Sequence, residues 1–121
     1  MATILLVRLP GDLAEPLSRV LHSQGHRVVL TNSLEAAIRK TDASILFVGG
    51  DGTDYRAVIQ ELTLRRHDAA VIVVNRLPEN SRWLDALEMG AADYCGAPFE
   101  DIQIHWLIEG AQRGLTMKAA A

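Results

Sequence analysis

Five times along the chain a short, nearly unbroken apolar run is followed by a longer stretch with helical periodicity. The runs are Ile4-Leu5-Leu6-Val7, Val28-Val29-Leu30, Ile45-Leu46-Phe47-Val48, Val71-Ile72-Val73-Val74 and the shorter Asp93-Tyr94-Cys95. A continuous apolar run of this length fits a strand covered on both faces, and β-branched residues dominate the fourth. Between the runs lie helical stripes. Leu13, Leu17, Val20 and Leu21 fall at i, i+4, i+7 and i+8, and Ile104, Leu107, Ile108 and Ala111 repeat the pattern near the end. Strict alternation predicts an α/β fold with a doubly wound parallel sheet, because each crossover is right-handed and returns to the same sheet.

Local signals place the helix ends. Asp12 with Glu15 resembles a capping box, which would put Pro16 in the first turn. Gly25 suits a C′ position, and Ser33 is expected to cap a short helix through Lys40. Further helices are expected over 54–66, over 81–89 from a Ser81 cap to a Gly90 stop, and over 101–115. Residues 116–121 read as a tail or linker, leaving one domain over 1–115. Arg65-Arg66-His67 reads as a solvated cationic helix end, and the four histidines as surface residues.

Composition narrows the function. With 121 residues there is room for one core. Twelve Lys and Arg against fifteen Asp and Glu give a net charge of −3, with no basic block, which argues against direct nucleic-acid binding. The longest apolar run, from Ala69 to Val74, has six residues, so no membrane contact is expected. Cys95 is alone and is expected to be a buried, inert thiol. No histidine pair has metal-ligand spacing, and neither a metal nor another cofactor is expected.

In an open α/β sheet, ligands bind beyond the carboxyl ends of the strands. The loops at those ends are Arg8 to Asp12, Gly49 to Asp54, Asn75 to Asn80 and Cys95 to Phe99. Together with Gly90-Ala91-Ala92-Asp93-Tyr94 and Pro98-Phe99, they make the chain similar to the receiver domain of two-component response regulators. The likeness extends over nearly the whole length. It implies a flavodoxin-like (βα)5 fold with strand order 2-1-3-4-5, and a cytoplasmic place in phosphorelay signal transduction.

A receiver accepts a phosphoryl group on an Asp after its third strand. Two acidic residues after the first strand help hold Mg²⁺, and a Ser or Thr and a Lys bind the phosphoryl oxygens. By the resemblance, these positions fall here on Gly49, on Arg8 and Leu9, on Asn75 and on Ala97. Asp51 lies two residues beyond the acceptor position. Arg8 brings a permanent positive charge to the metal position. The expectation is therefore a degenerate pseudo-receiver, not an enzyme, that works by protein–protein interaction without being phosphorylated. The partner would be another protein or an output domain, or a second copy in a homodimer. The family contact face implicates Tyr94, the switch aromatic, and the tryptophans Trp83 and Trp106 on the flanking helices. Pro98 is a cis-proline candidate by the same likeness.

Gly49-Gly50-Asp51-Gly52-Thr53 supports an alternative. Glycines between a strand and a helix let a backbone approach phosphate, and this run is similar to the GGDGT motif of NAD and diacylglycerol kinases. A phosphate- or nucleotide-binding domain is thus the second reading. The single-domain length and the Arg8-Leu9-Pro10-Gly11 loop argue against a complete kinase.

Overall fold

A computed structural model of the chain describes residues 2–50, 55–76, 87–88 and 90–120. The elements in order are β1 (Thr3–Val7), α1 (Gly11–Ser23), β2 (Arg27–Thr31), α2 (Leu34–Arg39), β3 (Ile45–Gly49), α3 (Tyr55–Arg65), β4 (Ala70–Asn75), β5 (Asp93–Gly96) and α4 (Asp101–Ala120). The strands form one parallel sheet in the order β2-β1-β3-β4-β5, as expected. Four helices lie among the described residues. The fifth expected helix, over 81–89, falls mostly outside them.

The unbroken apolar runs are explained by two cores. Side chains alternate across a strand, so Ile4 and Leu6 face one side of the sheet and Leu5 and Val7 the other. Ile4, Leu6, Phe47, Ile72 and Val74 pack under α1 and α4, against Leu13, Leu17, Leu21, Ile104 and Ile108. Leu5, Leu46, Val48, Val71 and Val73 pack under α2 and α3, against Ala37, Val58, Ile59 and Leu62.

Several local expectations hold. The Ser33 hydroxyl accepts from the Ala36 N–H at 3.1 Å and caps α2. Gly25 follows the α1 C-cap with φ +85°, a left-handed backbone that glycine adopts freely. The Ala97–Pro98 peptide bond is cis.

The structure corrects others. No capping box opens α1: Pro10 is the N-cap, no side chain caps it, and Leu13 and Ala14 donate to the Pro10 carbonyl. Pro10 already holds φ −59°, so the helix starts at Gly11 and Pro16 lies inside it, beyond the first turn. Arg66 is 2% exposed, not solvated. Its guanidinium donates to the carbonyls of Ala37, Lys40 and Ala43 at 2.6–2.9 Å, and to Asp68 at 3.0 Å. One side chain thereby satisfies carbonyls at the end of α2 and in the turn to β3. His26 is half-buried, and its Nδ1 accepts from the Ala2 N–H at 3.2 Å; His22, His67 and His105 are exposed. The last helix continues to Ala120, past the expected end at 115.

Candidate functional site

The register brings the four loop starts to one end of the sheet. Val7 pairs with Val48, Gly49 with Val74, and Asn75 with Gly96. Arg8, Gly49, Asn75 and Ala97 therefore stand side by side along the carboxyl edge.

Their packing is close at the backbone. A Cβ on Gly49 would lie 2.6 Å from the Arg8 carbonyl oxygen and 3.6 Å from Leu9. Real Cβ atoms essentially never come so near, so the β1–α1 turn fills the space that a side chain at 49 would need. Arg8 itself adopts φ +55°, a left-handed conformation that disfavours a side-chain-bearing residue. Its backbone is tied on the other side, its N–H donating to the Thr31 carbonyl at 2.9 Å, and its Nε donates to the Asn32 carbonyl at 3.3 Å.

Gly50 meets a second neighbour. A Cβ there would collide with the Asn75 carboxamide and with Val73. Asn75 is 1% exposed, and its Oδ1 has no hydrogen-bond partner among the described residues. The close approaches of Arg8 and Asn75 account for Gly49 and Gly50 without a phosphate. Asp51, Gly52 and Thr53 lie outside the described residues, as does Trp83. Ala97 is half-buried and packs against the α1–α4 core.

The sequence reading missed one ionic feature. Arg76, just after β4, forms a two-pronged pair with Asp12 in the first turn of α1, at 2.7 and 2.9 Å. The guanidinium hydrogen bonds hold the Asp12 carboxyl below its ordinary value. The pair spans 64 residues, so no local spacing signals it. Among the described residues, no three His, Cys, Asp or Glu side chains are grouped to hold a metal.

Beside this edge, Cys95 is buried and its thiol is pushed up to about 12, first by desolvation and then by the charge of Asp93. Tyr94 is half-buried against the α2–α3 core. Trp106, by contrast, is 60% exposed on α4, with its ring edge-on to His105 at 5.2 Å between centroids. Among the described residues, no helix is long and apolar enough to cross a membrane.

This sheet order, with its flanking helices, is the fold of response-regulator receiver domains. Solved structures agree. NtrX from Brucella abortus, in complex with ADP, superimposes with a TM-score of 0.86 at 21% identity over 99% of this chain. The match covers 28% of NtrX, so the chain spans little more than a quarter of that protein's length. A CheY-like receiver domain protein from Methanospirillum hungatei gives 0.81 at 15% identity over 98% of both chains. A two-component response regulator from Clostridium difficile gives 0.75 at 19% identity over 93% of this chain and 97% of its own. No protein-family model and no curated protein matches the sequence.

Proposed function

We propose that the chain is a receiver-fold interaction module in signal transduction that takes up no phosphoryl group. The observation that carries this reading is the 2.6 Å approach of the Arg8 carbonyl to the Cβ position of Gly49. A receiver needs a carboxylate nucleophile there, and here the backbone of the neighbouring loop occupies its path. Arg8, Leu9, Asn75 and Ala97 supply an arginine, two apolar side chains and an amide where the chemistry needs acids, a hydroxyl and a lysine. A hard divalent cation wants anionic oxygen ligands, and the nearby carboxylate of Asp12 is already held by Arg76.

The module would act through contact instead. Tyr94, Trp106 and Trp83 mark the proposed partner face, and a protein partner or an output domain is its proposed occupant. No catalysis is assigned to it, and a cytoplasmic setting accompanies the reading.

The test is incubation with acetyl phosphate and Mg²⁺, followed by intact-mass measurement, with tryptophan emission followed on adding Mg²⁺ and beryllofluoride. No phospho-adduct and no saturable Mg²⁺-dependent change are expected. An acid-stable adduct would be irrelevant to an acyl phosphate, but a hydroxylamine-labile one would overturn the reading. A response to ATP alone would move the assignment to the 49–53 loop.

A further inference from the structure

The two edge strands of the sheet differ in how they are protected. β5 is four residues long, opens on Asp93 and is followed two residues later by Pro98, features that blunt an edge. β2 has five residues, with no proline or lysine and an apolar middle. The Arg27 N–H donates to the Ala2 carbonyl, and the Thr31 carbonyl accepts from the Arg8 N–H. Residues 27, 29 and 31 therefore turn their backbone groups towards β1. By alternation the N–H and C=O groups of Val28 and Leu30 point outward, where the sheet ends.

The side chains leave this edge open as well. Leu30 is 57% exposed. It lies beside α1, across a groove of about 450 Å³ lined by Gly11, Ala14, Ser18 and His22. Val28 shares its face of the strand and packs against the α1–α4 core, while Val29 faces the α2–α3 core. Arg27 is on the face of Val29, is exposed, and joins no ion pair among the described residues.

We infer that β2 pairs antiparallel with β2 of a second copy, about a two-fold axis at Val29, so that one sheet runs through both chains. This edge lies across the sheet from β5, and the pairing leaves the Tyr94–Trp106 face uncovered. The axis sets Val28 opposite Leu30 of the other copy, twice. Opposed residues of this kind exchange both N–H···O bonds, so all the outward groups of Val28 and Leu30 are satisfied. Neighbouring registers do worse. An axis at Val28 would oppose Leu30 to His26, whose N–H is already bonded to the Leu21 carbonyl. An axis at Leu30 would oppose Val28 to Asn32, whose carbonyl already accepts from the Arg8 guanidinium.

Side chains fit the Val29 register on both faces. On the α1 side, Val28 and Leu30 of each copy cover the exposed Leu30 of the other. On the α2 side, Arg27 comes opposite Thr31, whose hydroxyl accepts from the Ser33 N–H at the start of α2. The guanidinium then lies alongside Glu35, in the first turn of that helix. One strand per copy makes an interface at the small end of the range, below about 1,200 Å², so the dimer is weak and concentration-dependent.

Sedimentation velocity of the full chain, from about 5 to 500 µM, spans the range expected for an interface of this size. The mass is expected to rise from 13.2 kDa towards twice that value. Leu30→Lys sets two ammonium groups beside the axis and should raise the dimer dissociation constant at least tenfold, with little change in the urea midpoint. Arg27→Glu should weaken the dimer too, by facing Glu35, and adding Glu35→Arg should restore it. Trp106→Ala should leave the dimer unchanged. In a Cys95→Ala background, Val29→Cys sets two thiols face to face with Cα atoms about 4.5 Å apart, within disulfide range. Oxidation should then give a covalent dimer on a non-reducing gel. A wild-type chain that stays monomeric throughout would overturn the inference. So would a Leu30→Lys chain that dimerises as tightly as wild type, Val29→Cys chains that do not cross-link, or a dimer abolished by Trp106→Ala. The phosphoryl tests above read the carboxyl edge of the sheet and do not depend on this outcome, so the two readings fail separately.

Discussion

Substituting Gly49 tests the carboxyl edge of the sheet most directly. Gly49→Ala adds one methyl group 2.6 Å from the Arg8 carbonyl oxygen, whereas ordinary contact begins at 3.4 Å. β1 and β3 must separate locally by about 0.8 Å, or the turn at Arg8 must rotate. Rotation is resisted because the Arg8 N–H is bonded to the Thr31 carbonyl at 2.9 Å, and separation because Val7 and Val48 are in register just behind. Overpacking of this kind costs about 1–3 kcal/mol. With an m-value of roughly 1–3 kcal/mol/M for a small protein, the urea midpoint should fall by roughly 1 M. Gly49→Asp should fall at least as far, and should bind neither Mg²⁺ nor beryllofluoride, even combined with Arg8→Asp and Ala97→Lys. The assays are urea denaturation followed by circular dichroism, and tryptophan emission during Mg²⁺ titration. A Gly49→Asp chain as stable as wild type that also binds Mg²⁺ would refute the argument, because it would mean that the turn yields freely.

Arg66→Ala removes the donor to three carbonyls, and the loss should be about 3–5 kcal/mol; Arg66→Lys should recover only part of it, since an ammonium lacks the planar fork. A loss below about 1 kcal/mol in urea denaturation would show that water replaces the guanidinium. With its thiol pushed up to about 12, Cys95 should react with a thiol reagent at pH 8 only as fast as the chain unfolds, and rapid reaction in the native state would contradict its burial. His26 is held below its ordinary value of 6.5, chiefly by desolvation and then by the N-terminal amine and His105. Its neutral form is therefore favoured in the folded chain: the associated stability is complete above about pH 6.5 and is lost as pH falls through the lowered folded value. Urea midpoints at several pH values should show this dependence weakened in His26→Ala, and an unchanged profile would reject it.

Signals carried by a few consecutive residues were legible. The apolar runs became five parallel strands, the Leu13–Leu17–Leu21 stripe became the buried side of α1, and Ser33 and Gly25 sit where their cap chemistry placed them. Features built from distant chain segments were not. Arg66 reads as a solvated charge because its carbonyl partners come from 23–29 residues away and carry no side-chain signal. Asp12 reads as a cap because its partner Arg76 lies across the sheet edge. The start of α1 was displaced for a related reason: Pro10, already at helical φ, ends the turn from β1 before Asp12 is reached. At the carboxyl edge, the residue identities were legible but the reason for the glycines was not. The GGDGT run suggested approach by a ligand, whereas Gly49 and Gly50 are approached by the chain itself.

That distinction makes the residues at the carboxyl edge interdependent. Gly49 is bare because the Arg8 carbonyl is there, and the Arg8 carbonyl is there because residue 8 takes a left-handed turn fixed to Thr31 and Asn32. Gly50 is bare because the Asn75 amide is there, and Asn75 is held by the β4–β5 register with Gly96. Across the top, Arg76 and Asp12 join the end of β4 to the start of α1 through side chains of opposite charge. A receiver's acidic cluster carries like charges that a cation must offset. Here a backbone turn, a buried amide and an ion pair join the corresponding loops. On the proposed reading, introducing carboxylates alone would add repulsion and leave the Arg8 carbonyl against residue 49, so metal binding is expected only when the β1–α1 turn is rebuilt along with the side chains.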